Sequence, residues 1–353
     1  MKPIKEGEAE IFTNGVFYNP KMKFCRDLDV LFFSTFKKGE YLDALAATGV
    51  RGIRAKLEAG LTSIFNDKDP KAIKVIKKNL KHNQIDAAVY NKDASVLMRE
   101  RKFWHIDVDP FGSPSQFIDS ACYSAKKYLS ITATDTAALC GSAVEAGCRK
   151  YSAYIEKIQC YPEVGIRVLI GKIAREAVKY KKGIEVLVCW AQEHYYRVHV
   201  EIRKSSLSVK DTLKKIGFVF HCPSCLALNW SSMFEVGSVS NLCDFCASKM
   251  KLIGPLWIGE LHSKELIKKI LKARKAEADK VKFLNKIYYE ENIPFYYNLH
   301  KISAKLNVSC PPISAIMEEL KKRGFSASRC RFDGNGIKTN AGIKEIAEIL
   351  KNY

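Results

Sequence analysis

The sequence predicts an α/β fold in three parts, and two changes of pattern along the chain separate them. From about residue 40, short apolar runs alternate with amphipathic helices, which is typical of a parallel sheet covered on both faces. At about residue 218 short cysteine-bearing turns replace that pattern, and after about residue 259 the chain is helical and lysine-rich. We therefore expect an open Rossmann-like sheet domain over residues 1–217, a zinc-ribbon-like segment over 218–258 and a helical, winged-helix-like domain over 259–353.

The first part contains five predicted strands and one predicted hairpin. The strand-like runs cover residues 41–45, 62–65, 88–90, 104–108 and 131–133, and the hairpin joins 184–190 to 195–202. One helix is predicted over 54–59. Another begins at Asp69-Pro70, where an acid serves as N-cap and a proline occupies the first turn. Its outward face carries only basic side chains: Lys71, Lys74, Lys77, Lys78 and Lys81.

The last part is predicted to be helical with one hairpin. A lysine-rich amphipathic pattern over 263–282 predicts one long helix, and shorter helices are expected over 299–306 and 313–320. The Asp333-Gly334 turn within 324–339 indicates a hairpin wing.

The chain carries a large excess of positive charge. Its 353 residues include 58 Lys+Arg against 38 Asp+Glu, a formal net charge of +20, and residues 251–353 alone contain 20 against 11. Such an excess favours a polyanionic partner, with nucleic acid first and an anionic membrane surface second. No apolar run approaches the roughly 20 residues of a bilayer span, and the first residues lack the apolar core of a signal peptide. We therefore expect a cytoplasmic protein with no membrane association and no obligate protein partner.

Three acids follow successive predicted strands. Asp43, Asp67 and Asp93 come at the ends of the first three, and the carboxyl ends of parallel strands meet at one edge of a sheet. A turn followed by an acid on the next strand suits a nucleoside cofactor, because ribose hydroxyls need a carboxylate acceptor and a further acid can accept from adenine. Neither GxGxxG nor GxxxxGK[ST] is present, which disfavours a dinucleotide or a nucleoside triphosphate.

The fourth strand ends in an unusual corner, FWHIDVDPFGSP over residues 103–114. Pro110 stops the strand because it cannot donate to the sheet, which leaves one carboxylate, one free carbonyl and one flat ring. The Asp109 carboxylate and the Pro110 carbonyl can accept hydrogen bonds from an exocyclic amine, and Phe111 can stack on its heterocycle. Beside an adenosine-based cofactor, this corner indicates S-adenosylmethionine and methyl transfer to nitrogen. Asp109 could also take the departing proton.

Four of the twelve cysteines have metal-ligand spacing. They form the pattern CxxC-x17-CxxC: Cys222, Cys225, Cys243 and Cys246. Four thiolates around one tetrahedral Zn²⁺ leave no open coordination position, so the predicted zinc ion is structural rather than catalytic. The remaining cysteines lack paired spacing and are expected to be reduced core residues.

With these pieces assembled, the chain resembles the tRNA (guanine-26 N2) dimethyltransferase family of class I S-adenosylmethionine-dependent methyltransferases, over nearly its whole length. The motifs that carry the resemblance are Val16-Phe17-Tyr18-Asn19-Pro20, Arg26-Asp27, Asp43-Ala44-Leu45, Thr48-Gly49-Val50-Arg51-Gly52-Ile53-Arg54, Asn66-Asp67, Asp93-Ala94, Asp107-Val108-Asp109-Pro110-Phe111-Gly112-Ser113-Pro114, Thr132-Ala133-Thr134-Asp135, Leu139-Cys140-Gly141 and Gly336-Ile337-Lys338-Thr339.

The resemblance implies a class I methyltransferase sheet, a tRNA substrate and a set of site residues. Cofactor contacts are implied at Arg26, Arg51, Asp67, Asp93 and Ala94. Catalysis is implied at Asp109 with Pro110 and Phe111, and the target base is implied to lie between Phe17 and Phe111. The family usually has asparagine where this chain has Cys25, and only part of the family carries the zinc cysteines.

Two other interpretations follow from the residues alone. One is an amino-methyltransferase acting on DNA adenine or on a protein glutamine, because the corner at Asp109-Pro110-Phe111 (the DPF corner) can accept hydrogen bonds from the NH2 group of either. The other is a non-enzymatic zinc-ribbon adaptor that binds nucleic acid, but this leaves the three acids and the corner unexplained.

Overall fold

A seven-stranded sheet forms the centre of the first part. In the computed structural model, which describes residues 2–192, 194–273 and 276–353, the strands of this part are β1 Ile4–Glu6, β2 Ala9–Ile11, β3 Glu40–Asp43, β4 Thr62–Asn66, β5 Val89–Tyr90, β6 Phe103–Val108, β7 Ala125–Ala133, β8 Gly183–Gln192 and β9 Tyr195–Arg203. The strand order is β5-β4-β3-β6-β7-β9-β8, in which β3 to β7 are parallel and the β8–β9 hairpin joins antiparallel. The predicted class of fold is confirmed.

Helices cover both faces of this sheet. They are α1 Lys23–Phe33, α2 Val50–Ala59, α3 Pro70–His82, α4 Ala94–Glu100, α5 Ser115–Ser124, α6 Thr136–Leu139, α7 Val144–Tyr151, α8 Tyr161–Lys179 and α9 Ser206–Lys214. On β3, Leu42 packs into a core with α4, α5 and α8, while its neighbour Tyr41 packs with α1 on the other face. Asp69 caps α3 as predicted, its side chain accepting from the Lys71 N–H at 2.8 Å.

The cysteine segment is built on a three-stranded antiparallel sheet in the order β11-β10-β12. These strands are β10 Ile216–His221, β11 Leu228–Ser232 and β12 Lys251–Trp257. Strand β12 packs against α8 of the first part, where the Arg167 guanidinium donates to the Trp257 carbonyl at 3.0 Å.

The last part contains helices and a small antiparallel sheet. Its elements are α10 Lys264–Lys272, α11 Ala278–Tyr288, β13 Tyr297–Asn298, α12 Leu299–Leu306, α13 Ile313–Lys322, β14 Ala327–Arg329, β15 Gly336–Thr339 and α14 Ile343–Lys351. The predicted wing is present, because β14 pairs antiparallel with β15. The single helix predicted over 263–282 is wrong: α10 ends at Lys272 and α11 begins at Ala278. Two helices form because folding back lets both bury their apolar stripes against α1. Ile267 of α10 and Leu284 of α11 both lie in this cluster.

A buried ionic cluster joins the last part to the first. The Glu163 carboxylate on α8 accepts from the Lys338 ammonium at 2.8 Å, from Arg167 at 2.8 Å and from the Phe295 N–H at 2.9 Å. Glu163 and Lys338 are both essentially inaccessible to solvent. Because Lys338 and Phe295 come from the last part and Glu163 from the first, these buried contacts join the two parts.

Candidate active site

The ends of the parallel strands surround a cavity of about 700 Å³. Every catalytic, cofactor-binding and substrate-binding residue named from the sequence lines it: Phe17, Arg26, Arg51, Asp67, Asp93, Ala94, Asp109, Pro110 and Phe111. They come from six separate stretches of chain, and the strand register brings them together. In that register Asp43 on β3 lies beside Asp107 on β6 and Phe65 on β4.

The strand-end acids differ in what holds them. The Asp67 carboxylate accepts from the Ala47 N–H and from the Asp69 N–H, each at 2.9 Å, so it faces the turn that follows β3. Asp93 is the N-cap of α4, and its Oδ1 accepts from Ser95 N–H at 2.8 Å. Both side chains retain oxygen lone pairs toward the cavity, which fits hydroxyl and amino donors of a bound nucleoside.

Asp43 is the buried member of this group. Burial raises its pKa to about 7, with the neighbouring Asp107 carboxylate as the next cause, although the Gly52 N–H donates to it at 3.0 Å. Gly52 permits this approach of helix α2, because a Cβ at that position would meet the Phe65 ring at 2.4 Å. A carboxyl group with that pKa can change its charge when a cation binds nearby.

Arg26 is held by an acid that sequence patterns did not single out. Glu6 on β1 accepts from Arg26 Nε at 2.6 Å and from Nη2 at 2.5 Å, and also from the Tyr18 hydroxyl at 2.8 Å. The same carboxylate accepts from Arg54 at 3.0 Å. This short N-terminal strand therefore fixes one wall of the cavity.

Arg51 lies between two carboxylates on the floor of the cavity. Its Nη1 donates to Asp29 on α1 and its Nη2 donates to Asp109 Oδ2. Arg51 is 5% exposed, whereas the Asp109 side chain is 25% exposed and faces the cavity. Asp29 and its second partner, Arg197, were also missed from the sequence.

The DPF corner is a rigid turn tied to the next strand. The Gly112 N–H donates to the Thr134 hydroxyl at 2.8 Å, and the Thr134 N–H donates back to the Gly112 carbonyl at 2.9 Å. Gly112 has φ +96°, a left-handed conformation that favours glycine. Pro110 is buried, and Phe111 is 91% exposed at the mouth of the cavity.

A second exposed ring stands beside Phe111. Phe17 is 60% exposed, and the two ring centroids lie 5.8 Å apart at an interplanar angle of 75°. Two aromatic rings left in water at the mouth of a cavity offer faces on which a flat ligand can stack. In this edge-to-face contact nothing fits between them, so a base held on both faces requires Phe17 to swing aside.

The four predicted zinc ligands form a separate cluster. The Sγ atoms of Cys222, Cys225, Cys243 and Cys246 all lie within 4.8 Å of one another. The Cys222–Cys246 and Cys225–Cys243 sulfur pairs are 3.4 and 3.5 Å apart, close to the roughly 3.8 Å that follows from tetrahedral geometry with Zn–S bonds of about 2.3 Å.

The two CxxC turns have matching backbone geometry. The Leu226 N–H donates to the Cys222 carbonyl and the Ala247 N–H donates to the Cys243 carbonyl, at 2.9 and 2.8 Å. Leu226 and Ala247 both adopt positive φ, +66° and +55°. Two equivalent turns that present four thiols to one point fit a Zn²⁺ ion whose coordination is complete.

Comparison with known proteins extends this picture to the whole chain. The family model described as N2,N2-dimethylguanosine tRNA methyltransferase matches residues 2–351. A protein named tRNA (guanine(26)-N(2))-dimethyltransferase from Archaeoglobus fulgidus is 47% identical over 349 residues, which is 99% of this chain and 98% of that protein. The chain belongs to this family.

Further members show the same relationship. The dimethyltransferase from Methanosphaerula palustris is 37% identical over 342 residues, covering 95% of this chain and 91% of that protein. Among solved structures, the complex of Trm1 from Pyrococcus horikoshii with S-adenosyl-L-methionine aligns with a TM-score of 0.90 at 32% identity, covering 99% of both chains. The dimethyltransferase fold therefore extends through all three parts of this chain.

Proposed function

We propose that this chain is an S-adenosylmethionine-dependent methyltransferase that modifies the exocyclic N2 of guanosine 26 in tRNA and forms N2,N2-dimethylguanosine. Membership of the dimethyltransferase family supports this activity. The observation that carries it is the convergence of strand-end carboxylates, the DPF corner and two exposed rings on one cavity.

The cavity offers a complementary group to each part of the cofactor. We assign Asp67 to the ribose hydroxyls, Asp93 and Ala94 to the adenine end, and Arg26 and Arg51 to the carboxylate end. When bound, S-adenosylmethionine supplies an electrophilic methyl group, and the protein contributes alignment. The residues present fit this cofactor, because both arginines and both acids already face one cavity of sufficient size.

The corner positions the target amine. Asp109 Oδ1 has no partner among the described residues, so it is free to accept from an N2–H, and the Pro110 carbonyl can accept from another. Two acceptors on the amine favour the positive charge that develops on nitrogen in the transition state. Asp109 then accepts the proton that nitrogen releases, and Phe111 and Phe17 hold the flipped base.

The surface that binds tRNA must follow the phosphate backbone. We assign residues 259–353 to this role, because the exposed Lys268, Lys269 and Lys272 of α10 have no ion-pair partner among the described residues. Helix α3 adds a second basic surface, since it has no acidic residue and begins two residues after Lys68 at the cavity rim. The described helices include none long and apolar enough to cross a bilayer. We expect the enzyme to act in the cytoplasm, where its thiols stay reduced.

The activity is tested by mass spectrometry of nucleosides after incubation of unmodified tRNA with labelled cofactor. We expect N2,N2-dimethylguanosine, and none when position 26 carries adenosine. Methylation of a DNA adenine or a glutamine peptide instead would support the other amino-methyltransferase interpretation, and absence of cofactor binding by calorimetry would support the adaptor.

The RNA surface is tested with two matched triple variants. Lys268, Lys269 and Lys272 of α10 are changed to glutamine in one, and Lys71, Lys74 and Lys81 of α3 in the other. Each lost phosphate contact lowers the slope of log affinity against log salt by roughly 0.7–0.9, so either triple should lower it by up to about 2–3. An unchanged slope in either triple would exclude that helix from the RNA surface. Truncation at residue 260 is unsuitable, because it strips Lys338 from the buried Glu163.

A further inference from the structure

Asp29 on α1 is a buried acid that lies behind the active site. It is 1% exposed, and its two oxygens accept from different arginines. Oδ2 accepts from Arg51 Nη1, and Oδ1 accepts from Arg197 Nε at 3.0 Å. His199 Nε2 also lies 3.0 Å from Oδ1, and Cys25 Sγ lies 3.9 Å from Oδ2.

The charges around Asp29 keep it ionised. Burial acts to raise its pKa, but Arg197 and Arg51 outweigh that effect and hold the pKa well below its usual range. Arg197 is itself anchored by Asp107, whose two oxygens accept from it at 2.8 and 2.6 Å. These ion pairs fix the orientation of both guanidinium groups next to the cavity.

The geometry links Asp29 to the DPF corner through one guanidinium. Arg51 is planar, with one terminal nitrogen held by Asp29 and the other bonded to Asp109 Oδ2. This arrangement engages one oxygen of Asp109 and leaves Oδ1 toward the cavity. We infer that Asp29 is a positioning residue, which holds Arg51 so that it engages only one oxygen of Asp109. This inference rests on the proposed function of the corner.

Loss of the Asp29 charge would release Arg51 Nη1. The free guanidinium could then pair with both oxygens of Asp109, the bidentate geometry that arginine favours with carboxylates. Oδ1 would no longer be available to the target amine. The expected defect is therefore in the methyl-transfer step.

The test is a double-mutant cycle on Asp29→Asn and Asp109→Asn. Single-turnover methyl transfer is measured at saturating S-adenosylmethionine and tRNA. Asp29→Asn alone should lose about 10- to 100-fold in rate, the scale of a misplaced reacting group. In the Asp109→Asn background the same change should cost less than about twofold, because residues that act as a unit are not additive.

Matched variants separate positioning from folding. Glu176→Gln serves as control, because Glu176 is a largely buried carboxylate with two lysine partners on α8, outside the cavity lining. It should lower the melting temperature and keep the rate. Should Asp29→Asn not fold, Asp29→Glu retains the charge but displaces it, and we expect a smaller loss that again disappears in Asp109→Asn.

The outcomes distinguish the inference from the proposed function. Full turnover in Asp109→Asn would refute the role of the corner and this inference with it. A slow Asp109→Asn with a fully active Asp29→Asn, or equal losses from Asp29→Asn in both backgrounds, would overturn the positioning role alone.

Discussion

Replacement of Asp109 by alanine tests the centre of the proposed mechanism. The change removes the free oxygen that we propose accepts from the target amine, and also the partner of Arg51 Nη2. Loss of one positioned acceptor costs roughly 2.7 kcal/mol of transition-state stabilisation, which is about 100-fold in rate. Arg51 keeps Asp29 as a partner, so the guanidinium is not left as an unpaired buried charge and we expect the chain to fold.

The assay is single-turnover transfer from labelled S-adenosylmethionine to unmodified tRNA, with cofactor affinity measured by calorimetry. We expect the rate to fall about 100-fold or more and cofactor affinity to change little. Asp119→Ala is a matched control, because Asp119 is a partly exposed acid that also pairs with an arginine, Arg99, but lies outside the cavity lining. A turnover of Asp109→Ala near that of Asp119→Ala would refute the assignment.

Three further predictions concern the cofactor, the zinc cluster and pH. Asp67→Ala should weaken S-adenosylmethionine binding by about 10- to 100-fold in calorimetry, because a charge-assisted hydrogen bond contributes roughly 1.5–3 kcal/mol. Unchanged affinity would show that the ribose binds elsewhere. Metal analysis should find one Zn²⁺ per chain, and absence of zinc would contradict the structural site. Cys222→Ser should lower the melting temperature, whereas Cys148→Ser, a change at an exposed cysteine, should not. Burial raises the pKa of Asp43 to about 7, so between about pH 4 and 7 the folded chain holds a proton on this carboxyl that the unfolded chain has released. The contribution of Asp43 to the free energy of unfolding therefore falls as pH rises through that window. Asp43→Asn should therefore remove a negative slope of melting temperature against pH, and identical slopes would show that Asp43 does not titrate in this range.

The strand pattern predicted the strand-end acids of the cavity, whereas Phe17, Arg26 and Arg51 were implied by the family resemblance. An acid directly after an apolar strand lies at the carboxyl edge of a parallel sheet. Asp67 and Asp109 follow such strands, and both line the cavity. The layer behind them was not predicted. Asp29 meets Arg197 across 168 positions of sequence, and Glu6 meets Arg26 from a strand of three residues. Such pairs depend on tertiary packing and carry no local periodicity.

The break in the predicted helix over 263–282 has the same origin. Residues 273–279 are mostly good helix formers, so local propensity favours continuing the helix through them. The chain turns back instead because Ile270 and Ile287 are both buried in the cluster that includes α1. Packing of two apolar stripes outweighs the propensity of a few connecting residues.

The buried cluster around Glu163 has a consequence for how the proposed enzyme would choose one guanosine. Lys338 and Phe295 come from the last part of the chain and contact Glu163 on α8 of the first, and Ile267 of α10 packs in the same cluster as α1, so the last part is held against the sheet domain. If α10 binds tRNA as proposed, only a nucleotide at a fixed distance from the bound phosphates can reach the cavity. Position along the folded tRNA would then be selected before any base edge is read.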